Sequence, residues 1–297
     1  MSQVTPIVCA GSVLWDIVGK TPHPLDRGSD EPGRITNIPG GVAMNIAMAL
    51  RKFDLPVCLL TCLGQDHDGD GLIREAEARK MDTRFVYRAP HLSTDRYLAI
   101  EDATGMIAAV ADAHSLERAG EDLLQPLFDG RLATPEKPWT GMLILDGNFT
   151  RDQLEMMAGE PAFAAADVRL APASPGKARR LQPFLGHPNA TFYVNKGEAE
   201  SILETRFETS RDASKALVAT GLRQALVTDG GNSASLSLQS RTITKTPPKV
   251  SVRRYTGAGD VFMAAHICAE RLGKQGQSAL VHALTACADY ISTEEAL

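Results

Sequence analysis

The chain has 297 residues, 43% of them hydrophobic, which is enough for one large α/β domain or two modest ones with a full core. Aromatic residues make up only 5%, too few for a single-stranded nucleic-acid stacking platform. The net charge is −5 with no Lys/Arg-rich run, so neither nucleic acid nor an anionic membrane is an expected partner.

The first residues, through Pro6, lack the basic-then-apolar pattern of a signal peptide, and no apolar stretch is long enough to span a bilayer. The five cysteines, Cys9, Cys58, Cys62, Cys268 and Cys287, include no C-x-x-C pair and sit in apolar contexts. The expectation is a cytoplasmic protein with reduced, structural thiols and no cysteine metal site.

Residues 7–10 form an apolar run that ends in Gly11 and Ser12 and read as a buried strand. Asp16 follows inside a second apolar run. It is either a strand-end acid facing water or a carboxylate that accepts hydrogen bonds from a polyol. Residues 21–34, rich in proline, glycine and charge, form a surface excursion. Gly40 and Gly41 then open a stretch of helix-forming composition. Two glycines let a ligand approach the backbone closely, and Asn45, about one turn inside, would face the same ligand. The alternative is a glycine-rich helix start with Asn45 exposed.

Residues 55–64 read as a second buried strand. Asp66, Asp68 and Asp70 suggest a calcium loop but lack its full spacing and terminal glutamate, so 66–71 read as a turn and cap before a charged helix over about 71–80. Residues 94–110 read as a β-hairpin turning near Gly105. With the stretch 15–38 it would form a small sheet projecting from the main body, a natural lid.

From Met142 onward strands and helices alternate. Strands end near Asp146, Pro172, Asn195 and Thr228, a helix starts at Lys196, and Gly230 lies in the turn after Thr228. This alternation implies a parallel sheet covered on both faces, with ligands beyond the strand C-termini. Asp146, Asn195, Thr228 and the 256–260 loop are placed at or just after such ends. Thr256-Gly257-Ala258-Gly259-Asp260 runs into an apolar helix. Its small residues and the helix dipole make an anion site from backbone N–H groups. Asp260 at its mouth is either a helix cap or a base for a hydroxyl attacking a phosphoryl group. Gly273 and Gly276 mark a break before a terminal helix over 278–291.

Taken together, Gly40-Gly41-Val42-Ala43-Met44-Asn45, Asn195-Lys196-Gly197-Glu198, Thr228-Asp229-Gly230 and Thr256-Gly257-Ala258-Gly259-Asp260 resemble the ribokinase-like (PfkB) carbohydrate and nucleoside kinases over essentially the whole chain. The resemblance implies a single three-layer α/β/α domain with a mainly parallel sheet, plus a small β-sheet lid formed by about 14–38 and 92–111. It implies Asp260 as the base and Gly257, Ala258 and Gly259 as the anion hole. Asn195, Thr228 and Gly230 would lie at the nucleotide, Glu198 at the metal, and Asp16, Gly40, Gly41 and Asn45 at the sugar. ATP and Mg²⁺ are the implied cofactors. Members often carry an acid two positions before the motif threonine, in a region that helps form a monovalent-cation site. Arg254 stands there with Tyr255 next, so K⁺ stays open.

Within the family the sequence is most similar to the pseudouridine kinases. That similarity rests on Glu31-Pro32-Gly33-Arg34-Ile35, Ser93-Thr94-Asp95-Arg96, Asp146-Gly147-Asn148 and Ser174-Pro175-Gly176-Lys177. The implied reaction is phosphorylation of a nucleoside or sugar hydroxyl, first of all the 5′-OH of pseudouridine. Ribose, a purine nucleoside or a ketose are alternative substrates, and a non-catalytic sugar- or nucleotide-binding regulator is an alternative role. A homodimer through the lid is expected.

Overall fold

The computed structural model describes residues 5–254 and 256–293. Strand β1 (Ile7–Ala10) is followed by β2 (Leu14–Lys20), β3 (Arg34–Gly40) and helix α1 (Val42–Lys52). Then come β4 (Val57–Gly64), α2 (His67–Ala78), β5 (Asp82–Ala89), and the pair β6 (Arg96–Asp102) and β7 (Gly105–Asp112). Two short helices, α3 (Ser115–Arg118) and α4 (Gln125–Phe128), lead to β8 (Met142–Asp146), α5 (Arg151–Gly159) and β9 (Asp167–Ala171). The rest is β10 (Ala190–Asn195), α6 (Lys196–Leu203), α7 (Ser210–Ala219), β11 (Gln224–Thr228), β12 (Ala234–Leu238), β13 (Arg241–Lys245), α8 (Ala258–Arg271) and α9 (Gln277–Ile291).

Nine strands make one sheet in the order β13-β12-β11-β10-β9-β8-β1-β4-β5. Strands from β5 across to β11 pair in parallel, while β12 and β13 close one edge antiparallel. Helices cover both faces, and the strand residues alternate between two cores. Val8, Ala10, Cys58 and Leu60 join Phe149, Phe184 and Phe192 on one side. Ile7, Cys9, Val57 and Leu59 join Met44, Leu50, Phe262 and Leu280 on the other. Burial on both faces is why these strands read as unbroken apolar runs. Each large side chain so buried stabilises the fold by about 1.5–3 kcal/mol.

The chain places β4 on one side of β1 and β8 on the other. That reversal opens a crevice beyond the C-terminal ends of β1 and β8, where open α/β sheets bind ligands. A second, four-stranded sheet in the order β3-β2-β6-β7 is separate from the first. Its β2–β6 pair is parallel and its other pairs antiparallel. This is the small sheet expected from 14–38 and 92–111.

Two local readings are corrected. Helix α2 begins at His67, not near Gly71. Asp66 caps it by accepting from the Gly69 N–H at 2.8 Å, and Asp68 and Asp70 meet the positive end of its dipole. These contacts outweigh the poor helix propensity of Gly69 and Gly71. Gly69 is also required for packing, since a Cβ there would fall 2.4 Å from the Gly64 carbonyl oxygen. The 256–260 loop does not follow a parallel strand end. It follows a non-regular stretch after edge strand β13.

Candidate active site

Asp260 lies in the first turn of α8, and the residues before it set its surroundings. Gly257 caps the helix at φ +80°, a left-handed conformation that favours glycine. A Cβ there would lie 2.8 Å from Tyr290 Oη, whose hydroxyl donates to the Thr256 carbonyl at 3.1 Å. At Gly259 a Cβ would meet nothing within 4 Å, so this side of the turn is open. The first N–H groups of a helix have no intrahelical acceptor, and the dipole adds positive charge. Residues 257–259 therefore present backbone donors to an opening suited to an anion.

The second glycine turn meets the first. Gly41 caps α1 at φ +91°, and α1 packs against α8. Asn45 Nδ2 donates to Asp260 Oδ2 at 3.0 Å across 215 residues of sequence. On the neighbouring strand, Asp16 lies so close to Gly40 that a Cβ there would sit 2.0 Å from its Oδ2. Burial pushes the Asp16 carboxyl up to about 6. Asp260 is pushed up to about 7, first by burial and then by the charges of Asp146, Glu198 and Asp16, with the Asn45 bond working in the opposite direction. Four carboxylates from four elements thus share one electrostatic neighbourhood.

Asn195 and Glu198 form a reciprocal cap at the start of α6. Asn195 Oδ1 accepts from the Glu198 N–H at 2.9 Å, and Glu198 Oε2 accepts from the Asn195 N–H at 2.7 Å. Burial raises the Glu198 carboxyl. Thr228 ends β11 directly beside Asn195. Gly230, in the following turn, has φ +56° and open space where a Cβ would stand. Asp16, Gly40, Gly41, Asn45 and Asp260 are thus brought together. Asn195, Glu198, Thr228 and Gly230 form a second group, linked to Asp260 through the charge of Glu198. The Arg254 guanidinium lies over the Tyr290 ring at 5.0 Å. Tyr255 lies outside the described residues.

A third group sits at the β1/β8 crevice; in the sequence Asp146 stands at a ligand-facing strand end, but neither it nor its partners carry an assigned role. Asp146, fully buried, accepts from the Ser12 N–H and the Asn148 N–H, each at 2.8 Å. Ser12 Oγ accepts from Asn148 Nδ2 at 2.8 Å and from the Val42 N–H at 3.0 Å. Lys177 Nζ donates to Asn148 Oδ1 at 2.9 Å. Gly11 has no room for a side chain, since a Cβ would fall 2.2 Å from Asp146 Oδ2. The network ties the ends of β1 and β8 to the first residue of α1 and so fixes the glycine turn that carries Asn45. The available signal was an acid closing an apolar strand and followed by Gly147 and Asn148.

The architecture is that of the ribokinase-like α/β proteins. It superimposes on Arabidopsis thaliana ribokinase, solved with ribose and ATP, at a TM-score of 0.76 and 20% identity, over 98% of this chain and 94% of that one. Residues 4–288 match the profile of the pfkB family carbohydrate kinases, and the chain belongs to that family of phosphotransferases. Among characterised relatives it is 26% identical to the pseudouridine kinase of Escherichia coli K12, over 89% of this chain and 83% of that protein. It is 23% identical to the pseudouridine kinase of Arabidopsis thaliana, over 86% and 70%.

Proposed function

We propose that this protein is an ATP-dependent kinase that phosphorylates a primary hydroxyl of a nucleoside or sugar, the 5′-OH of pseudouridine first among them. The observation that carries the reading is the Asn45–Asp260 hydrogen bond. It sets a carboxylate that titrates near neutrality between a ligand-facing glycine turn and an open helix N-terminus. The names of the two pseudouridine kinase relatives support the choice of nucleoside.

The residues present fit a nucleotide and its metal ion. At Gly259 the start of α8 borders space that no side chain fills. Glu198 offers a carboxylate beside an excess of negative charge. Mg²⁺ keeps several waters and takes one or two carboxylates alongside substrate phosphates, so Glu198 with Asn195 beside it is a sufficient protein donor set. When bound, ATP supplies the phosphoryl group and Mg²⁺ neutralises charge on its oxygens.

The chain's own residues perform the remaining work. Asp260 takes the proton of the substrate hydroxyl as that oxygen attacks in line. The backbone N–H groups of Gly257, Ala258 and Gly259 hold the charge of the transferring group. Asp16 and Asn45 fix the sugar hydroxyls, with Gly40 and Gly41 allowing them close approach, while Thr228 and Gly230 border the nucleotide. The small sheet acts as the lid that keeps water from competing as acceptor.

Cross-strand register puts Ile17, Ile35, Leu98, Ile100 and Val110 on one face of that sheet, opposite the face with Asp16. Ile35 is 78% and Val110 64% exposed, and an uncovered apolar sheet face of this kind is matched by a second copy of itself. A homodimer joined through the two lids follows.

The test is ADP release with Mg²⁺-ATP against pseudouridine, uridine, cytidine, adenosine, inosine, ribose, fructose and 2-keto-3-deoxygluconate. A kcat/KM for pseudouridine at least about tenfold above that for uridine is expected, worth about 1.4 kcal/mol of discrimination. Turnover of another member with pseudouridine inert refutes the substrate and keeps the chemistry. ATP binding without turnover of any member refutes the kinase reading.

A further inference from the structure

A cavity lies at the opposite end of the main sheet from Asp260. It encloses about 1230 Å³ where α8 ends and α9 begins, and it is lined at the strand starts by residues such as Asp167 and Gln224. Nothing in the proposed reaction uses it. Its volume is that of a metabolite site rather than of a single ion.

Its charge is opposite to that of the molecule around it. Five cationic side chains, Arg169, Arg223, Arg241, Arg271 and Lys274, line it against two carboxylates, Asp167 and Glu270, in a chain whose net charge is −5. Both carboxylates are already engaged. Arg169, only 3% exposed, pairs with Asp167 at 2.7 Å and Glu270 at 2.8 Å, and its Nη1 reaches Tyr193 Oη at 2.8 Å. Arg223 shares Asp167 at 2.8 Å. The floor is therefore rigid and internally neutralised, and the positive excess rests on the rim. Arg241 has no ion pair among the described residues, and the Arg271 guanidinium reaches Asp167 only as a through-space charge.

Two further features have the same sign. Lys274 Nζ lies 3.1 Å from Nδ1 of His282, whose pKa is lowered by burial and then by Lys274. The imidazole Nδ1 takes the acceptor role, which leaves the other N–H groups of Lys274 for a ligand. Helix α9, fifteen residues long, begins here with no side-chain cap, and its first-turn residues Gln277 and Ser278 line the cavity. The positive end of its dipole adds to the cationic rim.

We propose that this cavity is a second binding site, distinct from the Asp260 site, for a small polyanion bearing clustered phosphoryl or carboxylate groups. Guanidinium groups suit both, because each pairs bidentately with either kind of oxyanion. A rim of three cations with few internal partners leaves their charge available to the ligand.

The test is calorimetric titration of the full chain with inorganic pyrophosphate and, separately, with citrate, in wild type and in an Arg241→Gln/Arg271→Gln double variant. Both residues are exposed, so the variant is expected to keep its melting temperature and its KM for ATP. Wild type is expected to bind at least one of the two probes, with Kd raised tenfold or more in the double variant. Pyrophosphate binding without citrate binding marks a phosphoryl ligand, and the reverse marks a carboxylate one. An isotherm unchanged by the two substitutions places the anion elsewhere and overturns the proposal, as does no binding of either probe to wild type at millimolar concentration. The titration involves no phosphoryl transfer, so it can fail while the kinase reading stands, and the reverse.

Discussion

Replacing Asp260 by asparagine separates catalysis from stability, because one charge acts on both. Loss of a positioned general base costs 10²–10⁴-fold in kcat, about 3–5 kcal/mol of barrier. The fold should tolerate the change, since the amide oxygen of the introduced side chain can still accept from Asn45 Nδ2. Stability moves the other way. An unfolded aspartate loses its proton near 3.8, but the folded carboxyl does so near 7. The group's contribution to stability is therefore complete below about pH 4 and is lost as pH rises through 7. Above that, the folded protein carries an ionised Asp260 beside Asp146, Glu198 and Asp16.

A shift of about three units corresponds to about 4 kcal/mol, and partial solvent access reduces this to about 2–3 kcal/mol. The Asp260→Asn substitution removes that penalty. Without nucleotide or Mg²⁺, the variant should melt about 3–5 °C above wild type at pH 8 and within a degree or so at pH 4. Scanning fluorimetry at the two pH values, beside coupled ADP release, reads both effects. In wild type, kcat/KM should rise with pH through about 7 as Asp260 ionises. A variant within tenfold of wild-type kcat removes Asp260 as the base. A variant that melts below wild type at pH 8 refutes the repulsion argument.

Other substitutions test the surrounding groups. Gly40→Ala forces a Cβ to 2.0 Å from Asp16 Oδ2, so Asp16 must move. The nucleoside KM should rise by about 10–100-fold with the ATP KM unchanged, and an unaltered nucleoside KM would remove Asp16 from the sugar. Asp146→Ala strands the N–H groups of Ser12 and Asn148. It should lower stability by about 2–4 kcal/mol in urea denaturation, and a loss under about 0.5 kcal/mol would show the network to be dispensable. Ile35→Asp with Val110→Asp should convert a dimer to a monomer by light scattering, whereas a monomeric wild type refutes the lid interface.

The parallel core of the fold was legible because its strands are buried on both faces and sit between helices. Strand β5 was not, since it lies at the sheet edge and mixes Asp82, Arg84 and Arg88 into its pattern. Strands β12 and β13 were hidden for a different reason. Ser235 and Ser237 are buried on a face that would ordinarily be apolar, and they hydrogen-bond to Thr244 and Thr242 at 2.9 Å across the pair and to Ser210 and Ser214 of α7. A hydroxyl ladder leaves no hydrophobic period to read. In the candidate site, the two glycine turns and Asp260 carry local signatures. The Ser12–Asp146 contact spans 134 residues, and no spacing rule announces it.

The carboxylate cluster has a further consequence for ligand binding. Asp16, Asp146, Glu198 and Asp260 arrive from β2, β8, α6 and α8, and burial raises all four. Only Asp146 has its charge met by two backbone donors together with Ser12 Oγ at 3.2 Å. A fold selected for stability alone has no reason to gather the other three, and local conflicts of this kind mark functional sites. Their repulsion is relieved by a cation or by protons, and the two compete. At pH 5 Asp16 and Asp260 hold protons that reduce the negative charge near Glu198, whereas at pH 8 they are ionised. The stabilisation by a fixed concentration of Mg²⁺-ADP should therefore be several degrees larger at pH 8 than at pH 5, since it follows the ratio of ligand concentration to Kd. Melting curves with and without Mg²⁺ at constant ADP isolate the metal's share. A metal-dependent shift that is the same at both pH values would mean that the metal does not sense the charge of this cluster.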